Sequence, residues 1–180
     1  HVLLGDYPTS EPQLQLRLPT ERYYEEEGRA ELTPRDFGIL MHRVFENAAT
    51  TDEIYTAIEA MTQDGVLDEK EAPRLRELVE KALADPVTAE WFGGRWQVVR
   101  NENDIILPGS GTTRRPDRVM TDGERAVVVD YKFGDRETAR HRKQIREYLR
   151  LLRQMGYTRT EGYLWYVRLG RTERVEEKED

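Results

Sequence analysis

Four consecutive apolar residues, Ala126-Val127-Val128-Val129, end abruptly in Asp130-Tyr131-Lys132. No other stretch constrains the fold as much. An apolar run that fills both faces of a strand must be covered on both sides, as in the middle of a helix-flanked sheet. Side chains alternate along a strand, so Asp130 and Lys132 project together. The Asp122-Gly123 pair ahead of the run is a hairpin signal. It lays the preceding strand, Arg115-Pro116-Asp117-Arg118-Val119-Met120, antiparallel to the apolar one. Asp117 lies about five residues before this turn and Asp130 about seven after it, so a bulge or strand twist has to bring them level.

Two carboxylates and an amine then converge at one end of the sheet. Converging carboxylates repel, and a pKa rises unless a cation neutralises them. Mg2+ suits oxygen donors of this kind. A neighbouring lysine can handle a water proton or stabilise developing negative charge. The plain alternative is a surface ion pair at a strand end.

The rest of the chain places this strand in an α/β domain. Residues 1–32 are polar and aperiodic, an irregular arm or linker with a short strand possible at Leu14, Leu16 and Leu18. Thr33-Pro34-x-Asp36 starts a helix whose stripe is Phe37, Leu40, Met41, Val44 and Phe45. Two further amphipathic helices follow, one closed by Asp64-Gly65 and one by Asp85-Pro86. After Trp91 the texture turns to strands: "RWQVVRNE" and "DIILP" joined by a short turn or bulge, then the hairpin. A long helix runs from about Glu137 to Met155 and closes at Gly156. "EGYLWYVRL" is a last strand, and the charged tail from about residue 171 is expected to fray. No internal repeat is visible.

Other residues join the acid–lysine cluster. At about 100° per residue, Gly38, His42 and Glu46 share one row of the first helix, and Gly38 removes bulk beside His42. A helical histidine near acids is a candidate metal ligand through a neutral ring nitrogen. Glu102, and after it Asp104, could add an oxygen. On the long helix, Arg136, Arg140, Arg142, Lys143, Arg146, Arg150 and Arg153 fall on one half, with the apolar residues opposite. Gln144 and Tyr148 lie one turn apart at the border. There they need hydrogen-bond partners, such as a catalytic lysine or a phosphate oxygen. With Arg114, Arg115 and Arg118, the basic half makes the footprint expected of a nucleic-acid backbone binder. A solvated arginine face, or a face that meets an acidic protein partner, is the competing reading.

Composition sets outer limits. The net charge of −7 has the wrong sign for a nucleic-acid binder, but local patches decide binding. With no cysteine, disulfides and thiolate metal sites are excluded. No apolar run approaches the roughly 20 residues that cross a bilayer, and no signal peptide is visible. The chain opens on His1, which reads as a fragment of a longer polypeptide or a processed chain.

Pro116-Asp117 followed by Asp130-Tyr131-Lys132 resembles the motif of the PD-(D/E)XK nuclease superfamily. Gly38-x-x-x-His42-x-x-x-Glu46 upstream and Gln144-x-x-x-Tyr148 downstream are similar to its RecB-type branch. That branch forms C-terminal nuclease domains of UvrD/RecB-like helicase–nucleases acting at DNA double-strand breaks, and related nucleases occur in CRISPR adaptation. The resemblance implies a restriction-endonuclease-like core over residues 33–180: a central mixed β-sheet flanked by helices, with an N-terminal helical region. It implies a Mg2+-dependent deoxyribonuclease, with Mn2+ able to substitute. The metal would be held by His42, Asp117, Asp130, the Tyr131 carbonyl and Glu102. Lys132 would be the catalytic lysine, supported with the DNA strand by Gln144 and Tyr148. DNA, in single-stranded form, would meet Arg114, Arg115, Arg118, Arg136, Arg140 and Lys143. A helicase motor, fused or separate, is the expected partner; no membrane partner is expected, and the expected compartment is the cytoplasm. The chain itself has no Walker A motif. Where the branch usually has a glycine and an aliphatic residue before the first aspartate, this chain has Arg114 and Pro116. The alternative within the same fold is a catalytically inactive DNA-binding or scaffold module of a helicase complex.

Overall fold

The computed structural model describes residues 34–101, 105–106, 113–134 and 139–177. The expected arm over residues 1–32 and the candidate ligands Glu102 and Asp104 lie outside them.

Four helices come first: α1 (Pro34–Glu46), α2 (Thr51–Gln63), α3 (Ala72–Ala82) and α4 (Pro86–Trp91). The start of α2 is fixed by Thr50, whose hydroxyl accepts from the Glu53 N–H at 3.3 Å. Asp85-Pro86, expected from the sequence to close a helix, instead opens the short helix α4, which the sequence reading missed. The Asp85 carboxylate accepts from the Val87 N–H at 2.8 Å, and Pro86 occupies the first turn, where a missing N–H costs nothing.

The strands are β1 (Val98–Asn101), β2 (Ile105–Ile106), β3 (Thr113–Arg114), β4 (Arg118–Asp122), β5 (Arg125–Lys132), β6 (Arg159–Tyr166) and β7 (Arg171–Arg174), with helix α5 (Ala139–Gln154) between β5 and β6. The main sheet is mixed, in the order β1-β4-β5-β6-β7. β1, β4 and β5 are antiparallel, β5 and β6 are parallel across α5, and β7 returns antiparallel to β6. β2 pairs with β3 in a separate two-stranded ribbon instead of extending β1.

Strand β5 is covered on both faces, as its composition requires. Val127, Val129 and Tyr131 pack with Met120, Trp165 and the α1–α4 side chains. Ala126 and Val128 face the other way, with Leu164, Tyr166 and the Ile145, Tyr148, Leu149 and Leu152 side chains of α5. On the first side Phe45, Phe92, Tyr131 and Trp165 form one aromatic cluster with ring centroids 5.1–6.1 Å apart. On the second, α5 lies so close to β6 that a Cβ on Gly162 would overlap Ile145 Cγ2. The turn after α5 is closed as expected, with Gly156 at φ 101°.

The charged tail does not fray at residue 171. It forms β7, and Val175 is buried with its N–H donating to Gly162 O at 2.9 Å. Alternation along the strand turns Glu173 toward α5. Among the described residues, no helix is long and apolar enough to cross a membrane.

Candidate active site

The hairpin places the two aspartates by register alone. Residues pair from Asp122↔Arg125 to Arg118↔Val129 around a two-residue turn at Gly123-Glu124, with Gly123 at φ 57°. One further step along this ladder sets Asp117 opposite Asp130. The bulge or extra twist expected from the sequence is not needed, because the true turn lies one residue later than Asp122-Gly123. At Tyr131 the β4 ladder has ended, and the Tyr131 N–H donates instead to Asp117 Oδ2 at 2.5 Å. Its ring points into the aromatic cluster, so Tyr131 meets the site through its main chain.

His42 reaches the same point from α1. Its Nε2 lies 3.6 Å from Asp117 Oδ1, and the two side chains stay 40% and 18% exposed, open at the end of the sheet. The Phe133 ring stands edge-on to the imidazole at 6.1 Å. A Cβ on Gly38 would meet Phe133 Cβ at 3.2 Å. The glycine one turn before His42 therefore makes room for Phe133, not for the imidazole itself.

Asp130 and Lys132 share the α5 side of β5, and the Lys132 ammonium contacts Asp130 Oδ2. This buried ion pair places the ammonium directly on the more enclosed of the two carboxylates. Burial first, and then the Asp117 charge, push the Asp130 carboxyl up to about 6, against the opposing pull of Lys132. Burial also disfavours charge on Asp117. There the His42 contact, the Tyr131 N–H and a hydrogen bond from Asp130 prevail, and its carboxyl sits below the usual range. The two carboxyls cannot both ionise cheaply, and the second proton of the pair is held above the ordinary carboxylate range.

This donor set fits a divalent cation. It joins two adjacent carboxylates to an imidazole nitrogen at the open end of a sheet. Among the described residues, no group of three or more acid or imidazole side chains lies close enough together to hold a metal ion as the side chains stand.

On α5, Gln144 Nε2 donates to the Tyr148 hydroxyl at 2.9 Å, so each of this pair is a partner of the other. Tyr148 is buried against the sheet, and Gln144 is half-buried. Sequence reading missed His141, one turn before Gln144. The half-buried His141 ring has a buried Nδ1 with no hydrogen-bond partner. Burial, then the charges of Lys132, Arg140 and Arg142, hold its pKa below the usual value. The spacing from His141 to Gln144 and Tyr148 was the available signal.

The expected DNA contacts divide. Arg115, Arg140 and Lys143 are exposed. Arg136 and the Arg114 side chain lie outside the description. Arg118 is a correction: it is fully buried, and its guanidinium is spent on Ala48 O, Ala49 O, Trp91 O and Asn101 Oδ1. It cannot meet a phosphate. The arginine half of α5 is also less open than its sequence suggests. Arg142 holds Glu173 through two bonds of 2.5 and 3.1 Å, Arg146 donates to Glu176 O, and Arg153 pairs with Glu177.

No curated protein matches the chain. A family model of the PD-(D/E)XK nuclease superfamily matches residues 13–180, a span that includes every element above. Members of this superfamily are typically nucleases, commonly dependent on a divalent metal such as Mg2+. With Asp117, Asp130 and Lys132 at the end of a hairpin in a mixed, helix-flanked sheet, this chain belongs to the PD-(D/E)XK nuclease superfamily.

Proposed function

We propose that the protein is a Mg2+-dependent deoxyribonuclease, with Mn2+ able to substitute. It hydrolyses phosphodiester bonds of single-stranded DNA as the RecB-type nuclease part of a helicase–nuclease in cytoplasmic double-strand-break repair. The observation that carries the chemistry is the juxtaposition of Asp117, Asp130 and Lys132, with the His42 imidazole 3.6 Å from Asp117. The substrate and the helicase motor rest on the likeness of the motif set to the RecB-type branch.

In this reading His42, Asp117 and Asp130 hold the cation, joined by the Tyr131 carbonyl and by Glu102. A bound Mg2+ supplies Lewis-acid polarisation of the scissile phosphodiester. The chain's own residues do the rest. Asp130 acts as a ligand in its ionised form, which is the greater part of it above about pH 6. Lys132, 20% exposed, presents its ammonium to the charge that builds on the phosphoryl oxygens as water attacks in line with the leaving ester oxygen. Gln144 and Tyr148 brace the α5 side of this pocket. Arg115, Arg140 and Lys143 track the backbone without reading sequence.

The test is a single-stranded DNase assay with Mg2+ on the wild type and on Lys132→Ala. The substitution is expected to lower kcat by about 10²- to 10³-fold, as when one charge-stabilising donor is lost from an active site. Equal inertness of the two proteins at high enzyme concentration with Mn2+ would replace this reading with the inactive scaffold.

A further inference from the structure

We propose that Arg118 is a positioning residue for the cation site: it locks helix α1 to the sheet so that His42 stands level with Asp117. The inference rests on the metal-dependent reading above and adds to it a residue that touches neither metal nor DNA.

Arg118 follows Asp117 directly, and alternation turns the two side chains to opposite faces of the sheet. Asp117 looks to the open sheet end. Arg118 runs inward, is fully buried, and lies with its guanidinium carbon 4.0 Å from the centre of the Phe92 ring. Its Nη1 donates to Ala48 O at 2.6 Å and to Asn101 Oδ1 at 3.2 Å. Its Nη2 donates to Ala49 O at 2.8 Å and to Trp91 O at 2.7 Å. Ala48 and Ala49 lie in the loop between α1 and α2, two and three residues past the end of α1, and Trp91 is the last residue of α4. Asn101 of β1 adds a bond from its Nδ2 to Ala48 O at 3.1 Å.

One planar fork thus gathers the loop that follows α1 and the carbonyl end of α4 onto the residue next to Asp117. Packing alone does not require a charge there. An apolar side chain of equal length could fill the space beside Phe92, and buried charges are often no more stabilising than such replacements. What an apolar chain cannot do is fix the sliding coordinate of α1. The α1 stripe of Leu40, Met41, Val44 and Phe45 is greasy and tolerates displacement, whereas three directed carbonyl bonds do not. His42 lies in the last turns of α1, four residues before its end at Glu46, and the Ala48 N–H donates back to Phe45 O at 3.3 Å, so a shift of the Ala48–Ala49 segment is transmitted through the helix to the imidazole. Groups that orient metal ligands typically control affinity by about 10- to 100-fold.

The experiment titrates Mn2+ calorimetrically into the full chain, free of metal and DNA, for the wild type, Arg118→Met, Arg118→Lys, Asn101→Ala, His42→Ala and the His42→Ala/Arg118→Met double variant. Circular dichroism establishes that each is folded. Arg118→Met is expected to keep its fold and weaken Mn2+ binding by about 10- to 100-fold. Arg118→Lys should recover part of that loss, Asn101→Ala should show a smaller loss, and the double variant should bind no more weakly than His42→Ala. Folded Arg118→Met binding Mn2+ as tightly as wild type overturns the inference and leaves the metal reading intact. Should Arg118→Met not fold, wild-type affinity in Asn101→Ala and Arg118→Lys overturns it equally. A wild-type chain that takes up no Mn2+ overturns the metal-dependent reading, and the inference with it.

Discussion

Asp130 is the residue on which folding and chemistry pull in opposite directions. It is 3% exposed beside a second carboxylate, and its carboxyl in the folded, metal-free chain is raised to about 6. A raised carboxyl pKa means that the folded state holds the proton more tightly than the unfolded state. Its contribution to stability is therefore present at low pH and is lost as pH rises from about 4 to about 6. Asp117, shifted downward, has the opposite dependence: its contribution is present above the ordinary carboxylate range and is lost as pH falls below it. Asp130→Asn removes the ionisation and keeps the shape. It is expected to raise the melting temperature of the metal-free protein at pH 7–8, by an amount equivalent to about 1–3 kcal/mol, and to gain little at pH 4. Melting curves across pH check this; an equal gain at both pH values would mean that the strain at Asp130 is not electrostatic. Mg2+ should stabilise the wild type at pH 7–8 and not the variant, because the ion takes over the role of the proton.

At the scale of elements, the close approach of α5 to β6 decides where Gln144 and Tyr148 lie against the sheet. Gly162 lets the helix settle directly on the strand, and an added methyl would overlap Ile145 Cγ2 and press on Leu149 at 3.2 Å. Gly162→Ala is expected to destabilise the fold by about 1–3 kcal/mol, the usual cost of overpacking. Combined with Ile145→Ala the loss should be less than the sum of the two, since the second change vacates the space the first one needs. Urea unfolding of the four proteins measures this; strict additivity would show that the helix moves away as a body. None of this was legible in the sequence, where Gly162 was one residue in a strand-like run and Ile145 one apolar position in a helix.

Across the whole molecule, the charge distribution differs from the picture given by the arginine count. The net charge is −7, and acids of β7 and the segment after it lie against Arg142 and Arg153. Freed of these partners, the two arginines would join exposed Arg140 and Lys143 on α5. Glu173→Gln/Glu177→Gln is expected to tighten single-stranded DNA binding at low salt. The slope of log affinity against log salt should steepen by about 0.7 for each additional phosphate neutralised. Fluorescence anisotropy in Ca2+, across low to moderate salt, reads this out; unchanged affinity and slope would assign these pairs to holding β7 alone.

The sequence by itself determined the local pieces. The Val127–Val129 run required a strand covered on both faces, Asp-x-Lys put an acid and an amine on one side of it, and the stripe on α1 carried His42 on a buried helix. These follow from period-two and period-3.6 geometry, which depends only on neighbours in the chain. The tertiary structure decided what depends on distant partners. It set which turn residue fixes the Asp117–Asp130 register, it turned Arg118 inward onto three carbonyls, and it kept the tail ordered as β7 against the basic helix. An arginine in a sequence carries its charge but not its address. Whether it meets phosphate, a glutamate or a helix end is settled by desolvation and by the groups that folding brings to it.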